Sequence, residues 1–167
     1  VVRIIGGLGN QMFQYAAARR LALQHATDLL FDVTGFKDYP NRAYALDYFS
    51  CAGACAPREV IDAVDTRPRC RWFFFKNQPR AGSLRYVRER HFHFMRSILT
   101  LPDNVYLDGY WQSERYFCDI KETIRRDFSF KKELGHACKA VAETMESCNA
   151  VGVHIRRGDF VPDPVVR

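Results

Sequence analysis

Val1-Val2-Arg3-Ile4-Ile5-Gly6-Gly7-Leu8-Gly9-Asn10-Gln11-Met12-Phe13-Gln14-Tyr15-Ala16 is the stretch on which the fold turns. Its first five residues are mostly β-branched and apolar, which reads as a short strand. Gly6, Gly7 and Gly9 make a turn, and a helix follows from Asn10 to about His25. Within that helix Phe13, Ala17 and Leu21 recur at helical spacing, with Met12, Ala16 and Leu23 alongside. Asn10 suits its N-cap. Strand, glycine turn and helix together open an α/β layer fold.

The glycine turn admits three readings. As a dinucleotide fingerprint it matches poorly. Gly7-Leu8-Gly9 supplies G-x-G, but Met12 holds the third glycine position, and the acid due about 20 residues on is Asp28 or Asp32. The glycines also suit a tight turn before a core helix. Alternatively, their amides line a cleft at the helix N-terminus together with the polar side chains of Asn10 and Gln11.

Further along, Leu29 to Val33 and Val105 to Gly109 read as strands. Residues 40–82 are punctuated by prolines at 57, 68 and 79, with Arg71-Trp72-Phe73-Phe74-Phe75-Lys76 as a strand candidate. A helix is expected from Ser113, a good N-cap, to Phe128, with Phe117, Ile120, Ile124 and Phe128 on one face. Another is expected from Glu133 to Cys148, grouping Leu134, Cys138, Val141 and Met145. Ala150 to Ile155 is an apolar run, read as a strand buried on both faces of a parallel sheet. Only eight residues follow Asp159, which suggests a piece of a longer fold.

Two further constellations carry chemistry. His154-Ile155-Arg156-Arg157-Gly158-Asp159-Phe160 puts consecutive arginines just past a strand. A guanidinium is a permanent cation whose planar fork grips phosphate oxygens bidentately. Gly158 lets the backbone approach closely, and Asp159 can hold an arginine in place. Open α/β sheets bind ligands at this end of their strands. The other constellation is Gly109-Tyr110-Trp111-Gln112-Ser113-Glu114, at a strand-to-helix junction. Its aromatic faces suit sugar C–H surfaces, and Gln112 and Glu114 suit hydroxyls. Aromatic packing at a helix start is the plainer reading.

Composition sets the frame for these motifs. The chain has 167 residues, 47% hydrophobic and 26% charged, with 14% aromatics spread along it, which argues against general disorder. No apolar run approaches the roughly 18 residues of a membrane helix, and no basic-then-apolar leader is visible. Residue 1 is valine, so an upstream anchor stays compatible with the sequence. The net charge is +6, and nine bases against one acid, Glu89, fall between Arg67 and Arg96. Such a segment attracts an anion: a nucleotide phosphate, a nucleic acid or an acidic lipid headgroup. With Trp72, Phe73, Phe74, Phe75, Tyr86, Phe92 and Phe94 interleaved, it also defines an alternative, a single-stranded nucleic-acid-binding module.

Six cysteines at 51, 55, 70, 118, 138 and 148 include no C-x-x-C pair and read as free thiols in a reducing compartment. A zinc set from Cys51, Cys55, Cys70, His91 and His93 matches no standard ligand spacing.

Taken together, GGLGNQMFQYA (6–16), DGYWQSERYF (108–117) and VGVHIRRGDF (151–160) resemble segments of the α-1,2-fucosyltransferase family, glycosyltransferase family 11. Their order and spacing are similar to that family's first half, and residues 36–104 add little. The resemblance implies a GT-B-like fold of two Rossmann-like halves. Residues 1–149 would be the N-terminal, acceptor-side domain, and 150–167 the first strand and arginine loop of a truncated donor domain. It implies GDP-L-fucose as donor and a β-galactoside glycan as acceptor, with transfer to the galactose 2-hydroxyl and inversion.

On that resemblance, His154, Arg156 and Asp159 are catalytic, and Arg156, Arg157 and Gly158 hold the donor phosphates. Gly6, Gly7, Gly9, Asn10 and Gln11 form the cleft loop, and Tyr110, Trp111, Gln112 and Glu114 contact the acceptor. Phe160 stands where the family commonly has Tyr. None of the 12 Asp residues has another two positions away, so the metal-binding Asp-x-Asp of many sugar-nucleotide transferases is lacking and no metal or other cofactor is expected. Arginine would then balance the charge on the leaving group. Glu114, Asp108 and Asp159 are the acids available as a base. The family's later motifs have no counterpart here, so little activity is expected of the chain alone. A non-catalytic, sugar-binding homologue is a further alternative. The expected location is cytoplasmic or peripheral to a membrane in a bacterium, and Golgi lumenal if an anchor precedes.

Overall fold

The computed structural model describes residues 1–38, 41–65, 84–153 and 155. The chain divides into two compact units, Val1–Lys131 and Lys132–Arg167. The first is built on a sheet of six strands: β1 (Val2–Arg3), β2 (Leu30–Asp32), β3 (Ala54–Cys55), β4 (Val64–Asp65), β5 (Leu84–Arg88) and β6 (Val105–Asp108). Their order across the sheet is β3-β2-β1-β6-β5-β4, and every pairing is parallel. Val2 is in register with Phe31 on one side and Leu107 on the other, so β1 and β6 are the central pair. This is the expected Rossmann-like α/β architecture.

Helix α1 (Leu8–His25) starts two residues before the expected Asn10. Gly7 is the N-cap, in an extended conformation, which moves Asn10 into the first turn and frees its side chain for another partner. The helix is buried over an unusually wide face. Ala16, Ala17, Ala18, Leu21 and Ala22 are all in the core, and small alanines let a helix approach a sheet closely. Leu23, expected on the same face, is exposed. The helix ends with Ala26 at φ 51°, and Thr27 N–H donates to the Ala22 carbonyl at 3.0 Å. Alanine here takes the left-handed position that glycine usually fills.

Val2, Ile4, Phe31, Leu107, Trp111, Tyr116 and Ile124 complete the core with α1. Fully buried residues such as Ile4 and Leu107 contribute on the order of 2 kcal/mol each by leaving water. Asp127 is a buried acid, stabilised by two donors: Tyr15 Oη at 2.6 Å and Arg19 Nε at 3.0 Å. The Tyr15 hydroxyl in turn accepts from Ala52 N–H at 3.0 Å. One side chain of α1 thereby ties together the 52 loop and the end of α3 (Lys121–Asp127).

The expected helix over 113–128 forms only in part. It is two short 3₁₀ turns, Glu114–Tyr116 and Cys118–Ile120, followed by α3. The apolar face is as expected, since Ile124 is buried and Phe117, Ile120 and Phe128 pack against the core. The break arises because neighbours Tyr116 and Phe117 both pack inward, whereas a regular helix turns successive side chains about 100° apart. Phe117 leaves helical geometry, at φ −144° and ψ 17°.

A short helix α2 (Arg58–Asp62) precedes β4. In the second unit, α4 (His136–Glu146) forms three residues later than expected, and its Val141 and Met145 are exposed. The reading of Ala150 to Ile155 as a buried strand is corrected. Val151, Val153 and Ile155 are 87%, 79% and 78% exposed, and residues 150–153 are not in a strand. A strand needs a neighbour for its backbone groups, and no pairing among the described residues involves this run. The strand candidate at 71–76 lies outside the described residues. No described helix is long and apolar enough to cross a membrane.

Candidate functional site at the carboxyl ends of the central strands

The carboxyl ends of β1 and β6 are where the glycine turn and the aromatic loop meet. Gly6 sits at φ +79°, a left-handed conformation that glycine adopts freely. A side chain there would also collide with that of Asn10. Gly7 caps the helix, and Gly9, expected in the turn, falls inside the first helical turn. Asn10 Oδ1 accepts from Gln112 Nε2 at 2.6 Å, joining residues 102 apart in sequence. Two of the three motifs legible in the sequence thus form one edge of the sheet.

Gln11 does not line this cleft with its side chain. It is 1% exposed, and its amide nitrogen donates to the Gly6 and Ala43 carbonyls, both at 2.9 Å. Its amide oxygen accepts from Ala45 N–H at 2.9 Å. The residue is a clamp between the glycine turn and the 43–45 loop. Gln14, one turn on, accepts from Ile5 N–H at 3.0 Å.

The aromatic loop is unusual. Trp111 is fully buried at φ +54°, its ring edge-on to Tyr116 at 6.0 Å, and its indole N–H has no hydrogen-bond partner among the described residues. A bulky residue in the left-handed region costs roughly 1–3 kcal/mol. In this structure Trp111 offers no exposed face to a sugar: aromatic packing, the plainer reading, describes its surroundings. Tyr110 is half-buried beside Phe92 at 6.2 Å, and Gln112 and Glu114 are exposed.

Glu89 compensates for the strain at Trp111. Its carboxylate accepts from Tyr110 N–H at 2.6 Å and from Trp111 N–H at 3.2 Å. Bonds to a charged acceptor are roughly twice as strong as neutral ones. The sequence reading assigns Glu89 no role, although its being the one acid among nine bases from Arg67 to Arg96 is a signal.

Beside this loop runs a satisfied polar network. Asp32, at the end of β2, accepts from Thr34 N–H at 2.9 Å, from Thr34 Oγ1 at 2.6 Å and from the Tyr106 hydroxyl. Burial alone would raise its pKa. The hydrogen bonds from Thr34 and Tyr106 outweigh that and hold the carboxyl below its ordinary value. The dinucleotide reading fails here, because both Asp32 oxygens are occupied inside the protein. Asp28 sits at the opposite edge of the sheet, lining a cleft of about 540 Å³ with Leu21, Val105 and Leu107. Its lining includes no residue of the three motifs. Asp108, at the end of β6, accepts from Arg3 at 3.3 Å and from the Tyr86 hydroxyl.

His154, Arg156, Arg157, Gly158 and Asp159 lie outside the described residues, as do Arg67, Arg69, Arg71, Lys76, Arg80 and Cys70. Of the remaining basic segment, Arg85, Arg88, Arg90 and Arg96 are exposed. Among the described residues no group of three or more His, Cys, Asp or Glu side chains is arranged to hold a metal ion.

Parallel strands with a glycine turn at the carboxyl end of the first define a Rossmann-like α/β domain. The family model for glycosyl transferase family 11 matches residues 60–166, and the chain belongs to that family. It is 29% identical over 171 residues to the alpha-1,2-colitosyltransferase of Escherichia coli, covering 96% of this chain and 55% of that one. It is 28% identical over 177 residues to the O-antigen biosynthesis glycosyltransferase WbnK of Escherichia coli, covering 95% and 59% respectively. The chain thus spans little more than half the length of these relatives. No solved structure matches it.

Proposed function

We propose that this chain is the acceptor-side part of an inverting, GT-B-like glycosyltransferase that moves L-fucose from GDP-fucose to the 2-hydroxyl of a terminal β-galactoside. The observation that carries the reading is the Asn10–Gln112 hydrogen bond at the carboxyl edge of the central strands. It joins two motifs of the resemblance into one surface, and family membership favours a sugar there over the nucleic-acid alternative.

In the proposed reaction the galactose 2-hydroxyl oxygen attacks fucose C1 while the bond from C1 to the phosphate oxygen breaks. GDP departs with the electron pair, and the hydroxyl proton passes to a base. Arg156 and Arg157 hold the phosphates and neutralise the charge that develops on them. Asp159 orients an arginine. Asp108 is engaged by Arg3 and Tyr86, which leaves Glu114 the freer acid of the aromatic loop. Arginine takes the counter-charge role, so the reading requires no divalent cation.

The test is transfer from GDP-fucose to lactose by the polypeptide encoded in the complete reading frame that carries this sequence. A 2′-fucosylated product is expected, undiminished by EDTA, and the 167-residue chain alone is expected to give none. Arg156→Ala should slow transfer by about 3 kcal/mol, the cost of removing one donor to a developing anion. A wild-type rate for that variant refutes the role of Arg156. A second donor reading, GDP-colitose, is favoured by the colitosyltransferase relative. Colitose is fucose without its 3-hydroxyl, and competition between the two donors separates the readings.

A further inference from the structure

We propose that Glu89 is a positioning residue for the acceptor. Its carboxylate holds the aromatic loop in the strained form that sets Gln112 against the glycine turn. The proposal rests on the transferase reading for its substrate, and on geometry for its mechanism.

Three observations converge on one side chain. First, the amides of Tyr110 and Trp111 both donate to the Glu89 carboxylate, at 2.6 and 3.2 Å. Second, Trp111 sits at φ +54°, a conformation a tryptophan does not keep unaided. Third, the chain passes Glu89 so closely at Gly109 that any side chain there would collide with the Glu89 Cβ and carboxylate. A buried network elsewhere could have held the loop by packing alone. Here a single ionised group is shared by two consecutive amides, and the next residue, Gln112, is the one bonded to Asn10.

Loss of the charge therefore frees Trp111 to leave the left-handed region. Gln112 then swings away from Asn10, and the two motifs no longer present one surface. Glutamine at 89 can accept from one amide, but its NH₂ would face the other N–H. The proposed donor contacts belong to the arginine motif, so the loss should fall on the acceptor.

In the complete protein, Glu89→Gln should raise the acceptor KM about tenfold, the worth of one charge-assisted hydrogen bond, with donor KM close to wild type. Glu89→Asp, which keeps the charge on a shorter stem, should recover part of the loss. Gly109→Ala should reproduce the acceptor defect with the charge intact. A wild-type acceptor KM in Glu89→Gln overturns the proposal. So does a fall in Tm with donor and acceptor constants worsening together, because that marks a merely structural residue. The clamp is read independently by amide exchange in the 167-residue chain. Tyr110 and Trp111 should exchange about tenfold faster in Glu89→Gln while Leu107 does not change. Unchanged protection at both amides refutes the clamp. Faster exchange in a protein that transfers no sugar sinks the transferase reading and leaves the clamp standing.

Discussion

Replacing Gln11 with leucine tests whether this residue lines a cleft or holds the glycine turn together. The side chain makes three hydrogen bonds of 2.9 Å and is 1% exposed. Leucine has similar bulk but can make none of them. The Gly6 carbonyl, on a buried residue, loses a donor and costs about 1–3 kcal/mol. Ala45 N–H, half-buried, costs about 1 kcal/mol, and the Ala43 carbonyl, on an exposed residue, finds water for little. The added apolar burial returns on the order of 1 kcal/mol. The balance is a loss of about 1–3 kcal/mol, which lowers Tm by about 3–9 °C for a chain of this size.

Thermal unfolding followed by far-UV circular dichroism reads this shift directly. Gln11→Glu gives a sharper signature. A carboxylate cannot donate to the Gly6 and Ala43 carbonyls, so the variant should be destabilised at pH 7 and should recover below about pH 4.5, where a protonated acid regains one donor. A Tm within about 2 °C of wild type for Gln11→Leu would refute the clamp and return Gln11 to the cleft.

Tyr15→Phe removes the donor to Asp127 and the acceptor for Ala52 N–H; it should cost about 1–3 kcal/mol in urea unfolding, and a loss under 0.5 kcal/mol would show the network to be dispensable. The depressed pKa of Asp32 makes its contribution complete above the unfolded value of about 3.9 and lost as pH falls through the lower folded value. The stability gap between wild type and Asp32→Asn should accordingly narrow below about pH 4, and a gap independent of pH would contradict the assignment. Burial, then the nearby Asp127 carboxylate, pushes the Cys51 thiol up to about 12. Iodoacetamide at pH 8 should label Cys51 last among the described thiols, and early modification of Cys51 would disprove its protected setting.

Local pattern sufficed for the elements whose residues look the same from inside and outside the fold. The β-branched start, the glycine turn and the alanine-rich helix α1 were legible because strand and helix periodicities are properties of the chain itself. Leu30–Asp32 and Val105–Asp108 were legible for the same reason. So was the inward face of residues 117–128, although its regular helix was not. That break came from two adjacent aromatics competing for the same core, which no single-residue propensity records. The apolar run at 150–155 read as a strand, yet strands are made by their neighbours, and sequence does not state which neighbours are present.

The sequence by itself determined the α/β class, the family and the three motifs, because each is written in residues that are near one another along the chain. Only the tertiary structure decided which of those residues stand exposed at the carboxyl ends of the strands. Gln11 and Trp111 are both polar or aromatic members of a motif, and both turn inward, because backbone carbonyls and a packed tyrosine claimed them first. Asn10 and Gln112, 102 residues apart, became partners only when β1 and β6 paired side by side. Glu89 acquired its role in the same way. Its charge was visible in the sequence, but the two amides it holds lie 21 and 22 residues away, brought within reach by the parallel register of β5 and β6.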